Sequence, residues 1–270
     1  MVPDRLNTPK ADPNDTEYAK QWDLFESTAG MNVPGAWSTT TGAGVTVAVI
    51  DTGYVAHSDL AANIVGGYDF IGDTAVSADG DGRDANPADP GDWYNANECG
   101  SGVPAASSSW HGTHVPAPSP PSRTTTRVSR ASRTARRSPG PGPRQVRRLR
   151  LRHHRRDHLA SGGTVSGVPA NSNVAKVINM SLGGDGACTS ATQSAITAAV
   201  NRGTTVVVAA GNESDNVANH SPGNCNNVIS SPRPTAPAPR RPTPTTAPWW
   251  TSRPPAARPA PAPPTASCPR

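Results

Sequence analysis

Aromatic residues are scarce: two Phe, four Tyr and six Trp make up 4% of the 270 residues. No stretch is long and apolar enough to span a bilayer, which excludes a transmembrane helix. Only four cysteines occur, Cys99, Cys188, Cys225 and Cys268, and no two are close, which excludes the paired-cysteine zinc patterns. Their even number fits disulfides in an oxidising compartment, but spacing alone does not assign the pairs. The N-terminal "MVPDRLNTPKADPNDTEY" has no apolar core of the signal-peptide kind. No internal repeat is present. Acidic residues are almost missing from two long stretches, Val115–His158 and Ser231–Arg270, which hold a single one, Asp157.

That last absence divides the chain. The two stretches contain 19 of the 22 arginines and 21 of the 30 prolines. The remaining residues carry 6 basic and 19 acidic side chains, so the overall net charge of +5 averages two opposite compositions. One is acidic, rich in Gly, Ala and Val, and patterned. The other is rich in Arg, Pro and Ser, and too poor in apolar residues to offset the entropy of ordering it. Disorder is expected there.

The patterned part reads as strands and helices. "GVTVAVIDTG" (Gly44–Gly53) is a β-branched apolar run closed by a turn, the form of a strand buried on both faces. "VAKVINMSLGG" (Val174–Gly184) and "TTVVVAAGN" (Thr204–Asn212) repeat the form. Between them, Ala187–Gly203 has helical spacing, with Gly203 as its C-terminal stop. Strand, helix and strand with apolar strands predict an α/β fold with a mainly parallel sheet. Active residues of such sheets gather at the carboxyl ends of strands, where Asp51, Ser181 and Asn212 lie.

An acid in a strand-end turn and a histidine beside glycine, in "HGTH" (His111–His114), are two parts of a hydrolytic site. The histidine would be the general base and the acid would fix its tautomer. Asn212 could donate to a developing oxyanion. Taken singly, each motif reads as well as a turn. A metal pair at His111 and His114 is disfavoured, because no acid lies near their three-residue spacing. Together, "VAVIDTG", "HGTHV", "INMSLGG" and "VVVAAGNE", in that order, closely resemble the subtilisin-like serine endopeptidases, especially their secreted bacterial branch. "WDLFESTAGMNVPGAW" (Trp22–Trp37) resembles that branch's mature N-terminus. The resemblance implies a three-layer αβα fold, Asp51 as triad acid, His111 as triad base and Asn212 as oxyanion donor. It implies that Ser181, Leu182 and Gly183 pair with substrate backbone by strand addition. It also implies a Cys188–Cys225 disulfide, an extracellular location, a peptide or protein substrate and a monomer.

The sequence departs from the family at one decisive point. The family's nucleophile sits in Gly-Thr-Ser-Met-Ala, and no Gly-Thr-Ser occurs here. Ser181 and Ser221 match other family positions. Without a nucleophile covalent acyl transfer has no first step, so the chain as written is expected to be inactive. The Arg/Pro-rich stretches read either as basic linkers or as family coding sequence out of frame. The second reading is specific: shifted by one base, "RVSRASRTAR" (Arg127–Arg136) permits Ala-Gly-Val-Ala-Gly-Val-Ala-Tyr-Gly-Ala. "RRPTPTTAPWWTSRPP" (Arg240–Pro255) likewise permits a segment like the one preceding the family's catalytic serine. Cys99 then loses its partner to the slip. The chain is expected to divide into an N-terminal extension, 1–20, a catalytic domain, 21–230, interrupted over 115–158, and an aberrant tail, 231–270. The interruption should remove a core helix and at least one strand, leaving exposed faces.

Two further stretches invite a ligand. "SADGDGRDANPADPGDW" (Ser77–Trp93) is rich in Asp, and calcium is possible there, but Arg83 and Asp84 break the EF-hand pattern. A solvated loop is the alternative, and no metal ligand is assigned. "RRLRLRHHRR" (Arg147–Arg156) would hold polyanions non-specifically, since no aromatic is interleaved for base stacking. Two rivals to the endopeptidase reading follow: an inactive protein that still grips peptides, and an Arg-rich nucleic-acid binder.

Overall fold

The computed structural model describes residues 18–28, 30–37, 39–40, 42–77, 79–97, 102, 104–116, 127–131, 156–212 and 215–231. Residues 1–17 of the expected extension (1–20), Cys99, Cys268, most of the basic run 147–156 and the tail beyond Ser231 lie outside them.

Six strands form one sheet: β1 (Thr46–Val49), β2 (Ile64–Tyr68), β3 (Arg127–Ala131), β4 (Val177–Met180), β6 (Thr205–Ala209) and β8 (Ile229–Ser231). Their order across the sheet is β2-β3-β1-β4-β6-β8, and every neighbouring pair is parallel. β1 is interior, and Ala48, Val49 and Ile50 are buried. That explains its unbroken apolar run, since an interior parallel strand has no solvent face. Its register sets Val49 beside Asn179, and β4 in turn sets Met180 beside Val208.

Parallel strands need a crossover. From β4 to β6 it is the helix Ser190–Asn201. The Thr189 side chain caps the start, its Oγ1 accepting from the Thr192 N–H at 3.2 Å. At the other end Gly203, at φ +84°, donates to the Val200 carbonyl and Thr204 donates to that of Ala199. These are the two bonds of a Schellman stop. The helix buries Ile196 and Ala199 against Ile178, Met180, Val206 and Val208. Each fully buried Ile or Val contributes about 2 kcal/mol. The three-strand core and the glycine stop are as read from sequence; the helix starts three residues later, where Thr189 supplies the cap.

A small antiparallel pair, β5 (Gly184–Asp185) with β7 (His220–Ser221), stands outside the sheet. Beside it Cys188 and Cys225 form a disulfide, Cα to Cα 5.2 Å, across 37 residues of chain. Closing a loop of that length removes about 4 kcal/mol of unfolded-state entropy.

The disorder expected over Val115–His158 does not hold throughout. Arg127–Ala131 is β3, hydrogen-bonded between β1 and β2, so the expected loss of a strand is also corrected. Strand pairing is made by backbone groups, which this sequence carries whatever its side chains. Residues 156–160 are helical, and Arg156 and Asp157 are each 1% exposed. The helix therefore begins before Leu159.

Candidate active site

β1 ends at Val49. The Ile50 N–H still donates to the Asn179 carbonyl at 2.9 Å, and Asp51 follows, 2% exposed. Gly53, at φ +110°, turns the chain away. From the other side comes the short helix His111–His114, preceded by Trp110 in the left-handed region at φ +51°. The two segments meet closely. A Cβ on Gly112 would lie 2.8 Å from Asp51 Oδ1 and closer still to the Gly53 carbonyl oxygen. Only glycine lets the histidine reach the acid.

His111 Nδ1 lies 2.7 Å from Asp51 Oδ1. The Thr52 N–H donates to the same oxygen at 2.7 Å. A carboxylate accepts, so Nδ1 carries the proton and Nε2 is left with its lone pair. The hydrogen bond to Asp51 raises the His111 pKa above 6.5; partial burial opposes it, and the charge of Asp51 adds to it. The ring is 46% exposed, so Nε2 can meet a ligand. A base of fixed tautomer, held by a buried acid, is the machinery of proton abstraction.

Hydroxyls not foreseen in the sequence hold this pair. Thr52 Oγ1 donates to Asp89 Oδ2 at 2.8 Å and accepts from the Gly112 N–H at 3.0 Å. Thr113 Oγ1 accepts from the Val55 N–H at 2.9 Å. Before the histidine, Ser109 gives both its N–H and its hydroxyl to the Asp92 carboxylate. The signal was a hydroxyl next to each key residue: Thr52 after Asp51, Thr113 two residues after His111.

Three carboxylates of the acidic loop accept hydrogen bonds from within the loop and from outside it. Asp84 accepts from the Asn86 N–H, Asp89 from Gly91 and Thr52, and Asp92 from Ser109. Among the described residues no group of three or more His, Cys, Asp or Glu side chains is placed to hold a metal ion.

The remaining residues singled out from sequence lie at one sheet edge. Ser181, Leu182 and Gly183 leave the carboxyl end of β4, next to β1. Ser181 Oγ accepts from Asn179 Nδ2 at 3.0 Å, and Leu182 packs on the core. Asn212 follows β6, next to β4, and is exposed. The structure thus joins Asp51 to His111 directly and sets Ser181–Gly183 and Asn212 beyond the carboxyl ends of the two adjacent strands.

The subtilase family model matches residues 159–231. An extracellular protease of Xanthomonas campestris is 52% identical over 225 residues, 81% of this chain and 38% of that protein. An extracellular basic protease of Dichelobacter nodosus is 41% identical over 239 residues, 84% of this chain and 38% of that one. A solved structure of proteases from Pseudoalteromonas arctica superposes with a TM-score of 0.72 at 45% identity, covering 82% of this chain and 65% of that one. The chain belongs to the subtilase family. It spans 38% of the length of the two extracellular proteases. As a subtilase it has the subtilisin-like α/β fold. Among its described residues no helix is long and apolar enough to cross a membrane.

Proposed function

We propose that this subtilase chain carries the acid and base of a secreted serine endopeptidase but not its nucleophile. Asp51 is the triad acid and His111 the triad base. Asn212 is the oxyanion donor, and Ser181–Gly183 is the segment that a substrate backbone would pair with. The observation that carries the reading is the 2.7 Å contact between His111 Nδ1 and a buried Asp51. It leaves Nε2 basic and exposed, as abstraction of a serine hydroxyl proton requires. Secretion is supported by the names of the two relatives, both extracellular, and by the disulfide.

The Gly-Thr-Ser of the family is absent from the sequence. The residues given hold no serine in that setting for His111 to activate, so no acyl-enzyme is expected of them. These residues are expected to hold an extended peptide at Ser181–Gly183 without cleaving it. A fluorophosphonate probe followed by peptide mapping tests this. The expected result is no adduct on any serine and no turnover of a chromogenic peptide, while an extended peptide still binds. A serine adduct that disappears in His111→Ala would overturn the inactive reading. DNA binding that weakens steeply with salt, with no peptide binding, would favour the nucleic-acid reading instead.

A further inference from the structure

One carboxylate of the Asp-rich loop reaches the candidate site. Asp89 is 7% exposed and lies 37 residues from the strand-end turn, yet its side chain and backbone are both bound to it. The Asp89 N–H donates to the Tyr54 carbonyl at 2.9 Å. Its Oδ1 accepts from the Gly91 N–H at 2.9 Å, which fixes the carboxylate plane. Its Oδ2 accepts the Thr52 hydroxyl proton at 2.8 Å. That hydrogen bond orients the hydroxyl, because Thr52 Oγ1 has one proton to give. With the proton on Asp89, a lone pair of Oγ1 faces the Gly112 N–H at 3.0 Å. Gly112 is the residue after His111, and its amide stands in the first turn of the short helix, where no carbonyl of the helix can satisfy it.

We infer that Asp89 is a positioning residue for His111, acting through the Thr52 hydroxyl to pin the helix start against Asp51. The chain Asp89–Thr52–Gly112 runs beside the direct Asp51–His111 contact and fixes the same two segments. Thr52 takes part in both, its N–H on Asp51 and its hydroxyl on Asp89. Without the acceptor at Asp89 nothing holds the Thr52 hydroxyl in the orientation that presents a lone pair to the Gly112 N–H. The helix start would then retreat and the Nδ1 contact lengthen.

The inference rests on reading Asp51 and His111 as a functional pair, and the test separates the two. The readout is the His111 ring titration by NMR on the full chain, assigned by its loss in His111→Gln. Thr52→Val and Asp89→Ala should each move the His111 midpoint down toward 6.5. Thr52→Ser keeps the hydroxyl and should retain the wild-type midpoint. A general loosening of the fold would not sort the three variants by whether the hydroxyl and its acceptor survive. If Asp51→Asn lowers the midpoint but Thr52→Val and Asp89→Ala do not, Asp89 has no positioning role. If Asp51→Asn also leaves it unchanged, the pair itself is misread. Should Asp89→Ala fail to fold, Thr52→Val, nearly isosteric and remote from Gly91, decides alone.

Discussion

His111 couples the site to pH in a direction that its partner sets. The hydrogen bond to Asp51 holds its folded pKa above 6.5, so the folded chain binds this proton more tightly than the unfolded chain. The resulting stability is fully present below about pH 6.5 and is lost as pH rises through the higher folded value. The ring is half exposed, so the contribution is small. Urea midpoints measured from pH 6 to pH 9 should therefore fall more steeply for the wild type than for His111→Gln. Parallel slopes would mean that the Asp51 contact does not persist in solution. At this scale the sequence was partly legible. Asp51 and His111 stand in motifs whose neighbours, Thr52, Gly53 and Gly112, are needed for the close approach. Asp89 was not legible, because nothing local to "NPADPGD" shows that its carboxylate reaches a hydroxyl 37 residues earlier.

Two glycines show how differently the elements use the same residue. Gly112 has no Cβ because its helix is pressed against the turn after β1. Gly203 has none because its backbone is left-handed, at φ +84°, with open space around it. Gly203→Ala should therefore cost only the conformational strain, about 1 kcal/mol. Urea unfolding should show a lower midpoint at unchanged slope. A cost near zero would mean that the helix Ser190–Asn201 ends in another way. The sequence announced this stop because helix termination is local: a glycine after the last periodic residue is both signal and mechanism. It announced β1, β4 and β6 because their β-branched apolar runs carry the pattern of strands buried on both faces. It did not announce β3. "RVSRA" carries one apolar β-branched residue, Val128, and its place between β1 and β2 is set by edges those strands offer, not by its own pattern. The same cause hid the helix at 156–160, whose first residues, Arg156 and Asp157, look like the end of a basic run.

Across the whole molecule, the junction between the two compositions puts ionisable groups where the fold has no water. Asp157 is fully buried, and its Oδ1 has no hydrogen-bond partner among the described residues. Burial pushes its pKa up from 3.8 to about 7, against the opposing charge of Arg156. The sign is the reverse of an ordinary paired carboxylate. The folded chain holds the Asp157 proton after the unfolded chain has released it, so its contribution to stability is fully present below about pH 4 and is lost as pH rises to 7. A shift of this size corresponds to at most about 4 kcal/mol, less any relaxation that lets water in. Asp157→Asn keeps the shape of the side chain and removes the charge. The variant should be close to wild type at pH 4 and more stable than it at pH 8, by roughly 1–4 kcal/mol. Urea denaturation at the two pH values measures both. Equal stability at pH 8 would show Asp157 hydrated, and the helix at 156–160 then turned to place it in solvent. A gain at pH 8 would show an acid held in the core where an apolar or neutral residue fits better. That is what a segment whose residues were not selected for their positions would produce, in keeping with the out-of-frame reading of the stretch that ends at His158.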